Sequence, residues 1–268
     1  MSEALFTRTN DAYLPTDLAG SPWSPGHLHG GPPTGLLAHV LEQAVEAPHL
    51  CLARLSVDLL RPVPRAALRV AVETVRAGRR LQLLEATMQA DGVTVCRATA
   101  LFLEQREVSV PDHARFPADV PPFPDDAPVG SLAFVAGWLD KDSLQGLHTT
   151  AEAVRIDGIE GRGRGRAWMR LPVPLVAGEP NTPTTCVATL ADFGNGVGQL
   201  RLNPATGSIN ADVNLHLHRI PEGEWIGFDA LSRMEEHGVG LADTVLYDRR
   251  GPIGRVLQSL MVMPVYGR

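Results

Sequence analysis

The sequence lacks the features that would carry a protein to a polyanion, a membrane or an oxidising compartment. Its formal net charge is -6, so no general attraction to nucleic acid or to an anionic membrane is expected. No apolar run approaches the roughly 20 residues needed to span a bilayer. The opening MSEALFTRTNDAYLP has neither a basic stretch nor an apolar one, so no secretory leader is read and a cytoplasmic location is expected. Cysteine is scarce: Cys51, Cys96 and Cys186 are odd in number, far apart and without a CxxC pair. They make no disulfide framework and read as reduced thiols. A GxSxG nucleophile elbow is also absent, which excludes the serine route of α/β-hydrolases despite the HGG at His29–Gly31.

What is present is a repeat. PPTGLLAHVLEQAV has helical spacing, with Leu36, Val40 and Gln43 on one side and Leu37 and Leu41 beside them. Four strand-like runs follow, CLARLSVDLLRP, ALRVAVETVRAG, RLQLLEATMQADG and VTVCRATALFLE, with turns marked by Gly78 and Asp91-Gly92. The second half has the same order: a helix from about Pro183, then SINADVNLHLHR, EWIGFDALSRM, GLADTVLYDRRG and IGRVLQSLMVMP. An offset of 158 residues places Arg61 on Arg219, Thr74 on Ser232, Glu85 on Asp243 and Arg97 on Arg255. Helices are expected near residues 33–46 and 183–194. A helix followed by an antiparallel meander must bury one face of the sheet, and a sheet that wraps the helix buries it nearly all round. The expected fold is therefore α+β, two tandem helix-wrapped antiparallel sheets joined into one. Residues 1–105 form the first unit, 106–136 a proline-rich acidic linker, and 137–268 the second unit.

The order and spacing of HGG, LLRP and VETVRAG in the first half, and of LADFGNG, INADVNLHLHR and VLQSLMV in the second, resemble the TesB-like acyl-CoA thioesterase II family. The resemblance covers most of the chain and implies a double hotdog fold and hydrolysis of acyl-CoA by direct water attack. It implies no cofactor, and it implies that an aspartate, a hydroxyl or amide residue and a glutamine hold the water. These roles fall on Asp192, Asn210 and Gln258. Asn210 stands where the best-known members have threonine; asparagine has the longer side chain and still donates and accepts hydrogen bonds.

The residues add their own reading. Asp192 ends an apolar helical run just before Gly194, Gly196 and Gly198, all poor helix formers. Desolvation and the helix C-terminus are both expected to raise its pKa, as suits a general base. The other reading is a helix-end aspartate turned to solvent. Gln258 breaks an apolar strand, and Asn210 opens one; both are candidates for the water site or, alternatively, for edge or turn-capping amides. Gly30 and Gly31 precede a helix whose free N–H groups are candidates for binding the thioester oxygen, or they simply form a tight turn. A thioester needs little general-acid help, because its leaving thiol has a pKa near 8.5. His216 and His218 share a strand face, but spacing places no third ligand, so no metal is expected. Arg162, Arg164 and Arg166 read as a solvated loop before a strand. Two other functions stay open, a non-catalytic acyl-CoA binder and a hotdog enoyl-CoA hydratase or dehydratase. The second needs a histidine paired with an acid, and DFGNG offers none in its own neighbourhood. Beyond the acyl-CoA substrate, the expected partner is a further copy of the chain, associating as a homo-oligomer through sheet faces or edges.

Overall fold

The computed structural model describes residues 3–116, 119–133, 144–203 and 206–264. In the first half lie β1 (Phe6–Thr9), β2 (Ala12–Pro15), helix α1 (Gly31–Gln43), β3 (Leu50–Leu59), β4 (Leu68–Ala77), β5 (Leu81–Ala90) and β6 (Val93–Glu104). Beyond β6 come β7 (Gly130–Ser131), the one-turn α2 (Leu147–Thr150), β8 (Glu152–Gly158), β9 (Arg164–Arg170), α3 (Pro183–Ala191) and the short α4 (Gly194–Val197). The chain closes with β10 (Thr206–Asn210), β11 (Asp212–Leu217), β12 (Ile226–Met234), β13 (Val239–Asp248) and β14 (Gly251–Pro264).

All these strands join one 14-stranded sheet in the order β1-β2-β4-β5-β6-β3-β11-β14-β13-β12-β9-β8-β7, with β10 also paired to β14. This is the architecture expected from the sequence, two hotdog-like units fused edge to edge. The repeat is visible in the strand limits: adding 158 to the ends of β5 gives both ends of β13. The seam between units is the antiparallel pair β3–β11, and Ser56 faces Asn214 there. Those two residues are each other's counterparts at the same offset, so the pseudo-twofold axis passes between them.

Each unit wraps its sheet around a helix because the helix has no polar face. In α1, Gly31 to His39 and Leu41 are buried, and Leu36, Leu37 and Leu41 are fully enclosed. Proline in the first turn costs nothing there, since those N–H groups have no intrahelical acceptor; Pro32 and Pro33 occupy those places, and α1 starts earlier than its apolar spacing implied. Helix α3 starts at Pro183 after Thr182, whose Oγ1 accepts from the Thr185 N–H at 3.0 Å. The two helices cross at small residues. A Cβ on Gly35 would lie 2.0 Å from Thr189 Oγ1, and one on Gly31 would lie 2.5 Å from the Thr189 carbonyl oxygen. This crossing brings the first turn of α1 against the last turn of α3.

The described part of residues 106–136 carries a 3-10 turn at Asp112–Ala114 and β7. It adheres to the second unit: Trp168 Nε1 donates to the Pro122 carbonyl at 3.1 Å, and Phe123 lies between Trp168, Trp225 and Arg249. Residues 117–118 and 134–136 of the linker, and Trp138 beyond it, lie outside the described residues.

Candidate active site

The helix expected over 183–194 is broken. It stops at Ala191, Asp192 is its C-cap, and α4 resumes at Gly194. The last carbonyls of a helix lack intrahelical partners. Here the Asp192 carbonyl oxygen accepts from Asn210 Nδ2 and from Gln258 Nε2, each at 3.1 Å. Gln258 is fully buried, and its Oε1 accepts from the Asn195 N–H at 2.9 Å, so one amide holds both sides of the break. A Cβ on Gly194 would sit 2.5 Å from that Oε1, so glycine is required where helix and strand meet.

With its peptide fixed, the Asp192 side chain points inward, 5% exposed. Asn210 Nδ2 also donates to Asp192 Oδ1 at 2.8 Å. On the other side, His29 Nδ1 lies 2.8 Å from Asp192 Oδ2. The segment carrying His29 is pinned before α1 begins: Leu28 N–H bonds the Val63 carbonyl and His29 N–H the Ala19 carbonyl. Gly30 gives the carboxylate its place, because a Cβ there would be 2.7 Å from Oδ2 and 2.8 Å from Oδ1.

Three expectations change. Burial does push the Asp192 carboxyl up, but His29, the Asn210 amide and the Gly31 N–H together hold it below the ordinary carboxylate value. The carboxylate is therefore ionised, and the raised pKa expected from burial and the helix terminus is not found. A histidine does pair with the acid: it comes from the first unit, which local reading around DFGNG missed. Gly31 offers no idle donor either. Its N–H donates to His29 Nδ1 at 3.2 Å, beside the Asp192 carboxylate, while Pro32 and Pro33 have no N–H to give.

Gln258 reaches the peptide of Asp192, and Asn210 reaches both the peptide and the carboxylate. Among the described residues the buried Asn210 Oδ1 has no hydrogen-bond partner, which leaves it an open acceptor beside the carboxylate. Two other groups border the site. Burial, then the Asp192 charge, pushes the Cys96 thiol up to about 12, which removes it as a nucleophile. His148 on α2 is fully buried, and burial, then His29, hold it down to about 4 against the opposing backbone of Leu144. Its neighbour Leu147 fills the space over Gly31. His216 and His218 are not part of this cluster; His218 stacks on Phe116 with ring centres 3.6 Å apart. Among the described residues no group of three or more His, Cys, Asp or Glu side chains is placed to hold a metal ion. No helix among them is long and apolar enough to cross a membrane. Arg166, within β9, pairs with Asp157 of β8.

Residues 19–103 match the family model for the acyl-CoA thioesterase N-terminal domain, and residues 117–262 match that for the C-terminal domain. No curated protein matches the chain. Among solved structures it is similar to a candidate thioesterase of Novosphingobium aromaticivorans, with 22% identity, TM-score 0.70 and coverage of 96% of this chain and 98% of that one. A hot dog fold protein of unknown function from Alicyclobacillus acidocaldarius aligns with 18% identity and TM-score 0.70, over 96% and 95% of the two chains. Acyl-CoA thioesterase II TesB2 from Mycobacterium marinum aligns with 18% identity and TM-score 0.64, over 90% and 91%. At these identities the structures speak for the fold, and the family models carry the assignment. With both models matched in order along one continuous double sheet, the chain belongs to the hotdog-fold acyl-CoA thioesterase family in its double-hotdog form.

Proposed function

We propose that this protein is a TesB-like acyl-CoA thioesterase that hydrolyses a fatty-acyl or related acyl-CoA to the free acid and CoA by direct attack of water. The observation that carries this reading is the buried Asp192 carboxylate at the junction of the two units, with Asn210 Oδ1 open beside it. A water donating to both acceptors would be polarised for attack, and a thioester needs little more, because its leaving thiolate is stable near neutral pH. Gln258 serves by fixing the Asp192 peptide. Thiol release from acyl-CoA of graded chain length, followed with a thiol reagent, tests the reading. Turnover on one or more lengths supports it. Binding without turnover on any would make the protein an acyl-CoA binder.

The second reading, hydration of an enoyl-CoA, is favoured by one observation, the His29–Asp192 pair at 2.8 Å. Loss of the conjugated enoyl absorbance on mixing with the protein distinguishes it.

A further inference from the structure

We infer that the outer face of the sheet, the side turned away from both helices, docks a second copy of this chain, with the basic corner of one copy seated on the acidic corner of the other. This face lies across the sheet from Asp192, and its pairing does not depend on whether acyl-CoA is hydrolysed.

The edges of the sheet are not free to extend it. Beside β1, the Leu5 and Phe6 N–H groups donate to the Pro174 and Leu175 carbonyls, and the Ala177 N–H donates to that of Phe6. The β7 edge is two residues long. Covered or very short edges resist strand addition, which leaves the outer face. Alternate side chains of a strand point to opposite faces. Leu81 pairs with Leu103 and Leu83 with Leu101, whereas Leu84, Ala100 and Phe102 point into the core. Leu81, Leu83, Leu101 and Leu103 therefore form an apolar patch on the outside. The second unit repeats it: Val239 pairs with Met261, and Leu241 follows two residues on. These three are the counterparts of Leu81, Leu103 and Leu83 at the offset of 158, and they are 54%, 49% and 46% exposed. Contiguous exposed apolar groups with a polar rim mark interaction sites. The pseudo-twofold axis between Ser56 and Asn214 sets the two patches at opposite corners of one face.

Their rims carry opposite charge. Arg76, Arg79, Arg80 and Arg106 line one hollow with Leu81 and Leu103, and Glu104 is the one acid among the described residues that line it. At the second patch the β12–β13 turn presents Glu235 and Glu236, both exposed. Arg233, on the strand leading into that turn, donates to the Ser232 carbonyl. Among the described residues neither the four arginines nor the two glutamates form a salt bridge. In a chain of net charge -6 the arginine corner is a local reversal. A polyanion would meet that corner alone, whereas another copy of the chain offers both the opposite charge and a matching apolar centre. Two faces turned over about an axis in their plane set basic on acidic at one corner and acidic on basic at the other, so the contact closes at two copies. The apolar centres supply affinity, and the rim charges fix register and speed encounter.

Sedimentation velocity over a range of concentration and salt reads the assembly. The parent is expected to be a dimer that loosens as salt is raised. Arg79→Glu with Arg80→Glu, and Glu235→Arg with Glu236→Arg, change exposed turn residues only. Each double variant places like charges together at both corners and should weaken its own dimer by about 10²-fold or more. Mixing the two restores opposite charges at both corners and should recover a dimer as tight as the parent's. Leu103→Ser with Leu241→Ser leaves every charge and both turns in place and should also release monomer. A parent that is monomeric throughout, variants that dimerise as tightly as the parent, or a mixture no tighter than its components would each overturn the inference. A monomeric parent that binds inorganic pyrophosphate through the four arginines would overturn it too, and would give that corner an anion as its ligand.

Discussion

At Asp192 a carboxylate, a carbonyl and four neighbours from distant segments meet, and single atoms decide the outcome. Gly30 has no Cβ because the carboxylate occupies that volume. Gly30→Ala would force the side chain away from His29. We expect a loss of about 1–3 kcal/mol in stability, the usual range for overpacking, and a larger proportional loss of turnover, read by comparing melting temperature with thiol release. Asn210 presents a simpler contrast. Its amide donates to both the Asp192 peptide and the carboxylate. Asn210→Thr keeps one hydroxyl donor at the position and should retain or raise activity, whereas Asn210→Ala leaves the carboxylate one donor short and should lower kcat. Equal rates for the two variants in a thiol-release assay would remove Asn210 from the site.

Between elements, the crossing of α1 and α3 sets the position of the site. Gly35 and Thr189 touch so closely that Gly35→Ala cannot be accommodated without separating the helices. Overpacking of this kind typically costs about 1–3 kcal/mol, and Thr189→Ala introduced with it should recover part of the loss, a coupling visible in a double-mutant thermal-melt cycle. Strictly additive effects would show that the contact is not the cause. The helices themselves were legible in the sequence because each is apolar over most of its circumference. Their limits were less so. Capping by Thr182 and prolines at Pro32 and Pro33 set the starts, and the break at Asp192 depends on Asn210 and Gln258, which arrive from strands later in the chain. Asp192, Asn210 and Gln258 were recognisable as unusual, an acid and two amides in apolar runs. That both amides bind the Asp192 peptide was not, because helix-capping partners from other segments leave no spacing signal.

Across the whole molecule, the duplication was readable because strand lengths and turn positions recur at a fixed offset, although the Asp91-Gly92 turn has both residues at positive φ, 49° and 78°, and its counterpart Arg249-Arg250 does not. The contact of His29 with Asp192 was not, because it joins the two units and has no counterpart within either half. His148 was missed for the same reason. Its burial has a consequence for the whole fold. A histidine held down to about 4 in the folded chain has a pKa near 6.5 when unfolded, so between these values the unfolded chain binds more protons. Stability is therefore expected to be full above about pH 6.5 and to fall as the pH drops toward about 4. Asp192, with its lowered value, resists acid until the pH falls below the ordinary carboxylate range. Among the described residues the backbone of Leu144 is the one hydrogen-bonding group at the His148 ring and it favours the charged form, so His148→Leu removes the group that must charge in acid. It should flatten the dependence of denaturation midpoint on pH over that interval, and an unchanged slope would assign the acid sensitivity elsewhere.

The central claim is that the ionised Asp192 carboxylate is the heart of a thioester-hydrolysing site, and thiol release by the parent and by Asp192→Asn, side by side on the best acyl-CoA of a chain-length panel, tests it most directly. Asparagine keeps the shape and removes the charge. The account predicts thiol release by the parent and a fall of about 10²–10⁴-fold in the variant, the range for loss of acid–base function, with the folded state retained by circular dichroism. Hydrolysis at the parent rate by a folded Asp192→Asn protein would contradict it.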